Sequence, residues 1–321
     1  SYYMGFMLCT FVAFYYLAEL AAAESGRRPE KIRFSLLKFA GASVAGAGLA
    51  GITLIPGIAA VSRTAAAEEA GTGLSGVYGD IWKQLGALFE DSLSFVKSGD
   101  QGDVNLYCGC AVLLFAGIYF LNKEIRTAEK IVTGILIVLY FAGIHITALN
   151  LLFHGLHKPV GIPNRFVFIL IFLLLKMSCD AWGNVENEST GRIFAGLIAA
   201  EGFCIVVGIK SGNIWGLLLT AGVLAVFFLV MWTERCICGK LSGHAFCCVE
   251  IRKLGCLVLA VLILAETGIH GIVSITDNGT ANRDIYVESE QEDLSSAIIQ
   301  ASSRNNLTWV VVNEDNTKYL C

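Results

Sequence analysis

The sequence predicts an all-α polytopic membrane protein of about eight transmembrane helices, followed by the start of a small α/β extracytoplasmic module. Of its 321 residues, 55% are hydrophobic and 16% are charged, whereas soluble domains carry about 25% charged residues. The 34 glycines and 4 prolines suit close-packed membrane helices. With a net charge of −4, the chain lacks the clustered basic residues that nucleic acid requires. These observations exclude a disordered chain and disfavour a soluble enzyme.

Eight stretches are long and apolar enough to cross a hydrocarbon core, which requires about 20 helical residues. None shows the alternating pattern of a barrel strand. The third, fifth and sixth stretches are the shortest. In chain order, the predicted spans are Tyr2–Ala23, Phe34–Val61, Leu106–Leu121, Ile131–Leu151, Phe166–Ala181, Ile193–Ile209, Ile214–Trp232 and Leu254–Ile275. Residues 1–275 therefore form the predicted multi-span domain.

The charges in the connections predict the orientation of these spans. Lys and Arg residues concentrate in the first, third and seventh connections, and the second, fourth and sixth carry far fewer. The fifth is ambiguous because Arg192 stands against Glu186 and Glu188. The positive-inside rule places the odd-numbered connections in the cytoplasm. The even-numbered connections and the C-terminal segment are then expected outside.

The outer loop of residues 62–105 contains apolar residues at helical spacing. They are Ile81, Leu85, Leu88, Phe89 and Leu93, with Asp80, Glu90 and Asp91 alongside. This pattern is typical of a helix that lies on the membrane surface or packs under a lid.

Residues 276–321 are more polar and show a strand–helix–strand order. The predicted elements are Asp284–Glu288, Asp293–Ser303 and Leu307–Val312. This order indicates the opening of an extracytoplasmic α/β module. The segment is too short to build its own core.

The connection between the fourth and fifth predicted spans concentrates polar side chains at one membrane depth. Its candidate site residues are His154, His157, Lys158, Asn164 and Arg165. Imidazole, ammonium and guanidinium groups together could hold a phosphate, with the Arg as a bidentate donor. The alternative is a re-entrant turn whose polar groups satisfy its own backbone, with Arg165 reaching to the interface.

Ionisable residues within spans are candidate functional residues because burying them is costly. Glu201 and Glu266 lie deepest, and His270 follows Glu266 on the same helical face. A shared proton or a buried hydrogen bond between helices explains Glu266 and His270 as well as transport does.

Cysteines cluster in the seventh connection, but they fit a metal site poorly. Cys236, Cys238, Cys247 and Cys248 lie near His244, whereas zinc sites usually show Cys-x-x-Cys spacing. Acylation or free thiols also explain these residues. The sequence identifies no cofactor and leaves a divalent cation open.

Four places in the chain resemble the bacterial YfhO-type membrane protein family. They are Tyr3–Phe11, Leu54–Ile58, Asn150–Phe168 and Glu266. The third is the most specific, with His-Gly-x-His, Pro-x-Gly and Pro-x-Arg-Phe-x-Phe motifs. The resemblance runs through most of the chain. His270 departs from it, since an Asn is expected there.

YfhO-type proteins resemble GT-C glycosyltransferases, which transfer a sugar from a polyprenyl-phosphate carrier to an acceptor at the outer face of the membrane. They are linked to glycosylating cell-envelope polymers such as lipoteichoic acid. The resemblance implies a multi-pass protein of the bacterial plasma membrane. The implied partners are a polyprenyl-phosphate-linked sugar, an envelope acceptor and the lipid bilayer.

The resemblance also implies an internal fragment of a longer protein. In the GT-C architecture the catalytic acidic residue lies in the first outer loop, after a helix that this chain does not contain. No catalytic residue is therefore assigned. The motif around His154 to Arg165 is expected near the carrier phosphate.

Two other function classes stay open. Glu201, Glu266 and His145 at membrane depth favour a transporter or flippase, although no inverted repeat is found. A noncatalytic envelope scaffold, whose outer domain binds a partner, is the third reading.

Overall fold

The computed structural model describes residues 2–22, 29–61, 76–89, 104–155, 164–240, 245–278, 310–312 and 318–320. The chain divides into two compact units, Ser1–Ser274 and Ile275–Cys321. The helices within the described ranges are α1 (Tyr2–Ala22), α2 (Pro29–Val61), α3 (Ile81–Gly86), α4 (Cys110–Leu121), α5 (Thr127–His145), α6 (Thr147–Phe153), α7 (Val167–Gly183), α8 (Thr190–Ser211), α9 (Ile214–Lys240) and α10 (Ala245–Asn278). A 3₁₀ turn at Val185–Asn187 follows α7.

Within the described residues, six helices are long and apolar enough to cross a membrane, namely α1, α2, α5, α8, α9 and α10. The third predicted span begins at Cys110 rather than Leu106, and α4 has only 12 residues. The fifth predicted span corresponds to α7, which has 17 residues. The structure therefore supports a multi-pass helical protein with six candidate spans in its described part, and a count of eight stays a prediction.

Buried apolar side chains form two clusters between the helices. One cluster joins α4, α8 and α9, and it includes Phe89 from the outer loop. The other joins α1, α5 and α7, and it includes Leu106, Phe153 and Phe166. Large apolar side chains elsewhere are exposed, as on α2, where Ile52 is 85% exposed. In a membrane such a surface faces lipid.

Close backbone contact positions α4 against α8. A Cβ added at Gly117 would lie 2.5 Å from the carbonyl oxygen of Gly196. A Cβ at Gly196 would in turn lie 2.7 Å from the side chain of Ile118. Small residues allow membrane helices to approach this closely. Glycine at this crossing therefore lets a short helix pack inside the bundle.

The fourth predicted span, Ile131–Leu151, is interrupted rather than continuous. α5 ends at His145, and Ile146 adopts an extended conformation before α6 begins. Ile146 forms a β-bridge with Val77, and Thr147 N–H donates to the Gly76 carbonyl. No proline marks this break in the sequence. Contacts with the outer loop stabilise it.

The third, fifth and seventh connections lie on one side of the bundle. Glu188 accepts a hydrogen bond from the Lys123 backbone N–H at 3.0 Å and pairs with Arg192. Arg235, near the end of α9, donates to the carbonyls of Glu188 and Val185. These contacts assign the fifth connection, whose charges were ambiguous, to the side of its odd-numbered neighbours. That this side is cytoplasmic stays a prediction.

The even-numbered connections meet on the opposite side, here called the outer side. Asp80 caps α3 by accepting from the backbone N–H groups of Trp82 and Lys83. α3 packs against α8, where a Cβ at Gly86 would lie 3.2 Å from Ser211 Oγ. This part of the predicted amphipathic segment therefore packs on the bundle. Leu93, Glu90 and Asp91 lie outside the described residues.

In the second unit, two short strands pair in an antiparallel arrangement. β1 (Val310–Val312) pairs with β2 (Lys318–Leu320), and Val310 faces Leu320. The predicted strand Leu307–Val312 contains β1. The other two predicted elements of the α/β module lie outside the described residues, so the module stays a prediction.

Candidate functional site

Asn150 joins the two ends of the outer turn, the segment of residues 154–165. Its fully buried Nδ2 donates to the Gly143 carbonyl at 3.0 Å and to Asn164 Oδ1 at 2.6 Å. In a continuous helix the Thr147 N–H would occupy the Gly143 carbonyl. The break after α5 diverts that N–H and frees the carbonyl for Asn150. The interrupted helix and the outer turn are thus parts of one hydrogen-bond network.

Asn164 closes the turn through an unusual backbone conformation. Its φ is +60°, in the left-handed region that Asn adopts more readily than most residues. The residue is 4% exposed, and its side chain receives the Asn150 amide. Asn164 therefore acts as a buried structural residue of the turn, directly before Arg165.

His154 ends α6 as a buried, hydrogen-bonded imidazole. Its Nδ1 lies 2.8 Å from the Asn150 carbonyl, to which it donates, and its ring meets Phe166 edge to face. Burial lowers the pKa of His154, the Asn150 carbonyl raises it, and the Arg165 charge lowers it further. The ring is therefore neutral at pH 7, with Nε2 as an acceptor. The lowered pKa and the buried hydrogen bond favour a positioning role for His154 over the phosphate-binding role that the sequence predicts.

Arg165 is a cation among the described residues of the outer turn. Its side chain is partly buried and lies within electrostatic range of His154. His157 and Lys158, the other predicted cations, lie outside the described residues. The arrangement thus provides a guanidinium whose backbone is held by the Asn150–Asn164 contact.

Glu266 forms a second polar site on the outer side. Its Oε1 accepts hydrogen bonds from the Tyr107 hydroxyl and from the Cys110 backbone N–H, both at 2.5 Å. Cys110 begins α4, so the carboxylate occupies the positive end of that helix. Glu266 is only 8% exposed. One carboxylate therefore connects α10 to the first turn of α4.

Tyr107 links the three parts of this second site. Its ring stacks on His270 with centroids 3.8 Å apart, while its hydroxyl donates to Glu266. Glu266 and His270 thus approach the same tyrosine from one face of α10. We call Tyr107, Glu266 and His270, with the Cys110 N–H, the Glu266 site.

The extended segment of residues 104–109 connects the two polar sites. Leu106 is fully buried in the same cluster as Phe153 and Phe166, which flank the outer turn. Tyr107, the next residue, holds Glu266. The outer turn and the Glu266 site therefore lie on either side of one short segment.

Comparison with known proteins decides the family. The family described as bacterial membrane protein YfhO matches residues 1–318. The chain belongs to this family. The resemblance inferred from the sequence is thus confirmed. No curated protein and no solved structure matches the chain.

In this YfhO-family chain, Glu201 lies apart from both polar sites. It is partly buried on α8, within electrostatic range of the Cys204 thiol. Among the residues that the structure describes, no group of three or more His, Cys, Asp or Glu side chains is placed to hold a metal ion. A divalent cation therefore gains no candidate ligand set from the described residues.

A polar cavity of about 550 Å³ lies on the opposite side of this YfhO-family protein. Two arginines line it, and both have structural partners. Arg235 donates to backbone carbonyls, and Arg252 pairs with Glu186 and Glu234. These partners engage both guanidinium groups, which favours a structural role for the cluster.

Three residues with polar contacts in the structure were not among the candidate site residues predicted from the sequence. Asn150 and Tyr107 are polar residues at the edges of apolar stretches, where an ordinary interfacial role explains them equally well. Lys176 lies within α7 and pairs with Asp180 at 2.7 Å. The (i, i+4) spacing of Lys176 and Asp180 was a usable signal. For Tyr107 none was available, because its partner Glu266 is 159 residues away.

Proposed function

We propose that this protein is the membrane part of a lipid-carrier-dependent glycosyltransferase that acts on cell-envelope polymers at the outer face of the bacterial plasma membrane. Its partners are a polyprenyl-phosphate-linked sugar and an envelope acceptor. Membership of the YfhO family supports the proposal. The observation that carries it is the outer turn, which presents Arg165 from a buried amide network.

The reaction explains why this cation is useful. The acceptor hydroxyl attacks the anomeric carbon of the sugar and loses its proton to a carboxylate base, and the bond between that carbon and the phosphate oxygen breaks. The leaving carrier phosphate gains negative charge. A guanidinium bonded to two phosphate oxygens stabilises that charge in the transition state. We assign this role to Arg165, with His157 and Lys158 as further ligands.

His154 and Asn164 have a different role in this proposal from the one predicted. His154 is neutral and Asn164 is engaged with Asn150. They position the turn that carries Arg165 and leave the phosphate to the cations. The acid–base residue of the transfer is not assigned.

Substitution of Arg165 in the full-length protein tests the proposal. Arg165→Ala should abolish sugar addition to the envelope polymer, because the leaving phosphate loses its cation. Arg165→Lys should restore only part of the activity, since a lysine cannot form the bidentate contact. Arg126→Ala is the control, because Arg126 is exposed and forms only a 4.0 Å ion pair on the opposite side. Unchanged glycosylation by a normally expressed Arg165→Ala protein contradicts the proposal.

A transporter or flippase is the second candidate, and the interrupted helix at Ile146 favours it. Transporters often bind substrate beside discontinuous helices. This function predicts flux of a lipid-linked sugar across proteoliposomes without sugar transfer. An inactive Arg165→Ala protein that retains such flux would separate the two functions.

A further inference from the structure

The Glu266 carboxylate uses only one of its two oxygens within the described part of the protein. Oε1 accepts two hydrogen bonds, whereas Oε2 is buried and has no hydrogen-bond partner among the described residues. A buried oxygen without a donor costs about 1–3 kcal/mol in an ordinary fold. Such an atom at a fixed position is a candidate acceptor for a donor that a ligand supplies.

The surroundings of Oε2 limit the kind of ligand. The Tyr107 hydroxyl and the Cys110 N–H fix the carboxylate, so its second oxygen offers one directed acceptor position. A divalent metal ion requires several ligands. No group of three His, Cys, Asp or Glu side chains is placed for one within the described ranges. A single hydroxyl donor fits this position better than a metal ion does.

The position of the site relates this hydroxyl to the proposed reaction. Residues 104–109 separate the Glu266 site from the outer turn, with Leu106 buried beside Phe153 and Phe166. A carrier phosphate bound at Arg165 would bring its attached sugar to the same side of the bundle. Sugar rings carry several hydroxyl donors, and the aromatic Tyr107 and His270 stand next to the carboxylate.

We infer that Glu266 Oε2 accepts a hydrogen bond from a hydroxyl of the sugar on the lipid-linked donor. Tyr107 is a positioning residue that fixes the carboxylate. This inference rests on the proposed glycosyltransferase function, and it adds a contact to the sugar that is separate from the phosphate contact at Arg165.

Binding of two matched lipids tests the inference in the full-length protein in nanodiscs. The probes are polyprenyl phosphate and the same lipid carrying glucose, galactose or N-acetylglucosamine. The wild type should bind at least one sugar-bearing lipid more tightly than the bare phosphate. Glu266→Gln should weaken binding of the sugar-bearing lipid about tenfold, which corresponds to the loss of one hydrogen bond to a charged group. It should leave the affinity for the bare lipid unchanged.

Three further variants distinguish a sugar contact from a general structural effect. Tyr107→Phe should weaken binding of the sugar-bearing lipid by a smaller factor, because the carboxylate keeps its hydrogen bond from the Cys110 N–H. Glu201→Gln, which removes a different intramembrane carboxylate, should change neither affinity. Arg165→Ala should weaken binding of both kinds of lipid, because both carry the phosphate. If Glu266→Gln does not fold, Tyr107→Phe decides the outcome by the same comparison.

The outcomes separate the two hypotheses. A wild type that binds neither lipid overturns the proposed function, and the inference with it. A wild type that binds all the lipids equally overturns the inference alone. Equal weakening of both lipids by Glu266→Gln, or the same loss in Glu201→Gln, also overturns it.

Discussion

The side chain of Asn150 determines how the outer turn is held. Its Nδ2 donates to the Gly143 carbonyl, which the helix break frees, and to Asn164 Oδ1, and the backbone carbonyl of Asn150 accepts from His154 Nδ1. These buried hydrogen bonds hold the two ends of the outer turn together. Asn150, although not charged, therefore positions the charged residue that follows the turn.

The buried neutral state of His154 predicts a pH-dependent stability. Burial, with the Arg165 charge, lowers the pKa of His154 in the folded protein, while the unfolded chain keeps a value of about 6.5. Below that pH the unfolded chain binds a proton that the folded chain resists, so the free energy of unfolding falls as the pH drops. Above it this contribution to stability is fully present.

His154→Asn keeps a donor for the Asn150 carbonyl and removes the titrating group. Thermal unfolding in detergent should show a steeper loss of stability between about pH 7 and pH 5.5 in the wild type than in the variant. Parallel pH profiles for the two proteins would show that His154 contributes no such linkage.

At the scale of elements, the crossing of α4 and α8 depends on the absence of side chains. Gly117→Ala places a methyl group 2.5 Å from the Gly196 carbonyl oxygen, so the helices must move apart. We expect a loss of about 1–3 kcal/mol in the free energy of unfolding. Titration with a denaturing detergent measures it. Gly202→Ala is the matched control on α8, because a Cβ there meets no atom within 4 Å. Equal stability of both variants would contradict the close crossing.

Elements that long apolar runs define could be predicted from the sequence, and elements that distant contacts define could not. α9 and α10 follow from long apolar stretches, whose length alone requires a helix in lipid. The break at Ile146 has no local signal, because it depends on Gly76 and Val77 in the outer loop. The late start of α4 likewise accompanies the contact between Cys110 and Glu266.

The same distinction applies to the candidate site. The sequence singled out Glu266 because charges are rare within apolar spans, and Arg165 because it stands with other cations between two spans. Their roles stay predictions. The sequence could not reveal that His154 is neutral, since burial and the nearby Arg165 decide the pKa. Nor could it connect Tyr107 to Glu266 across 159 residues. The sequence therefore showed which polar residues lie in or beside apolar spans, but it did not show which groups they contact.

At the scale of the whole molecule, polar contacts join the described odd-numbered connections on one side of the bundle. Glu188 joins the third and fifth connections, Arg235 joins the fifth and seventh, and the outer turn and the Glu266 site lie opposite. The basic residues of the odd-numbered connections predict that their side is cytoplasmic. Both proposed substrate contacts depend on this orientation, because the proposed transfer takes place at the outer face.

Protease accessibility in whole cells measures the orientation directly. A specific cleavage site between Ala67 and Glu68 tests the second connection, and one between Ser242 and Gly243 tests the seventh. In intact spheroplasts, added protease should cut only the first insertion, because the positive-inside rule places only that connection outside. After permeabilisation it should cut both, which controls for folding around the inserts. Cleavage of the second insertion alone in intact cells would place Arg165 and Glu266 on the cytoplasmic side, and the proposed transfer of an externally presented sugar would then be wrong.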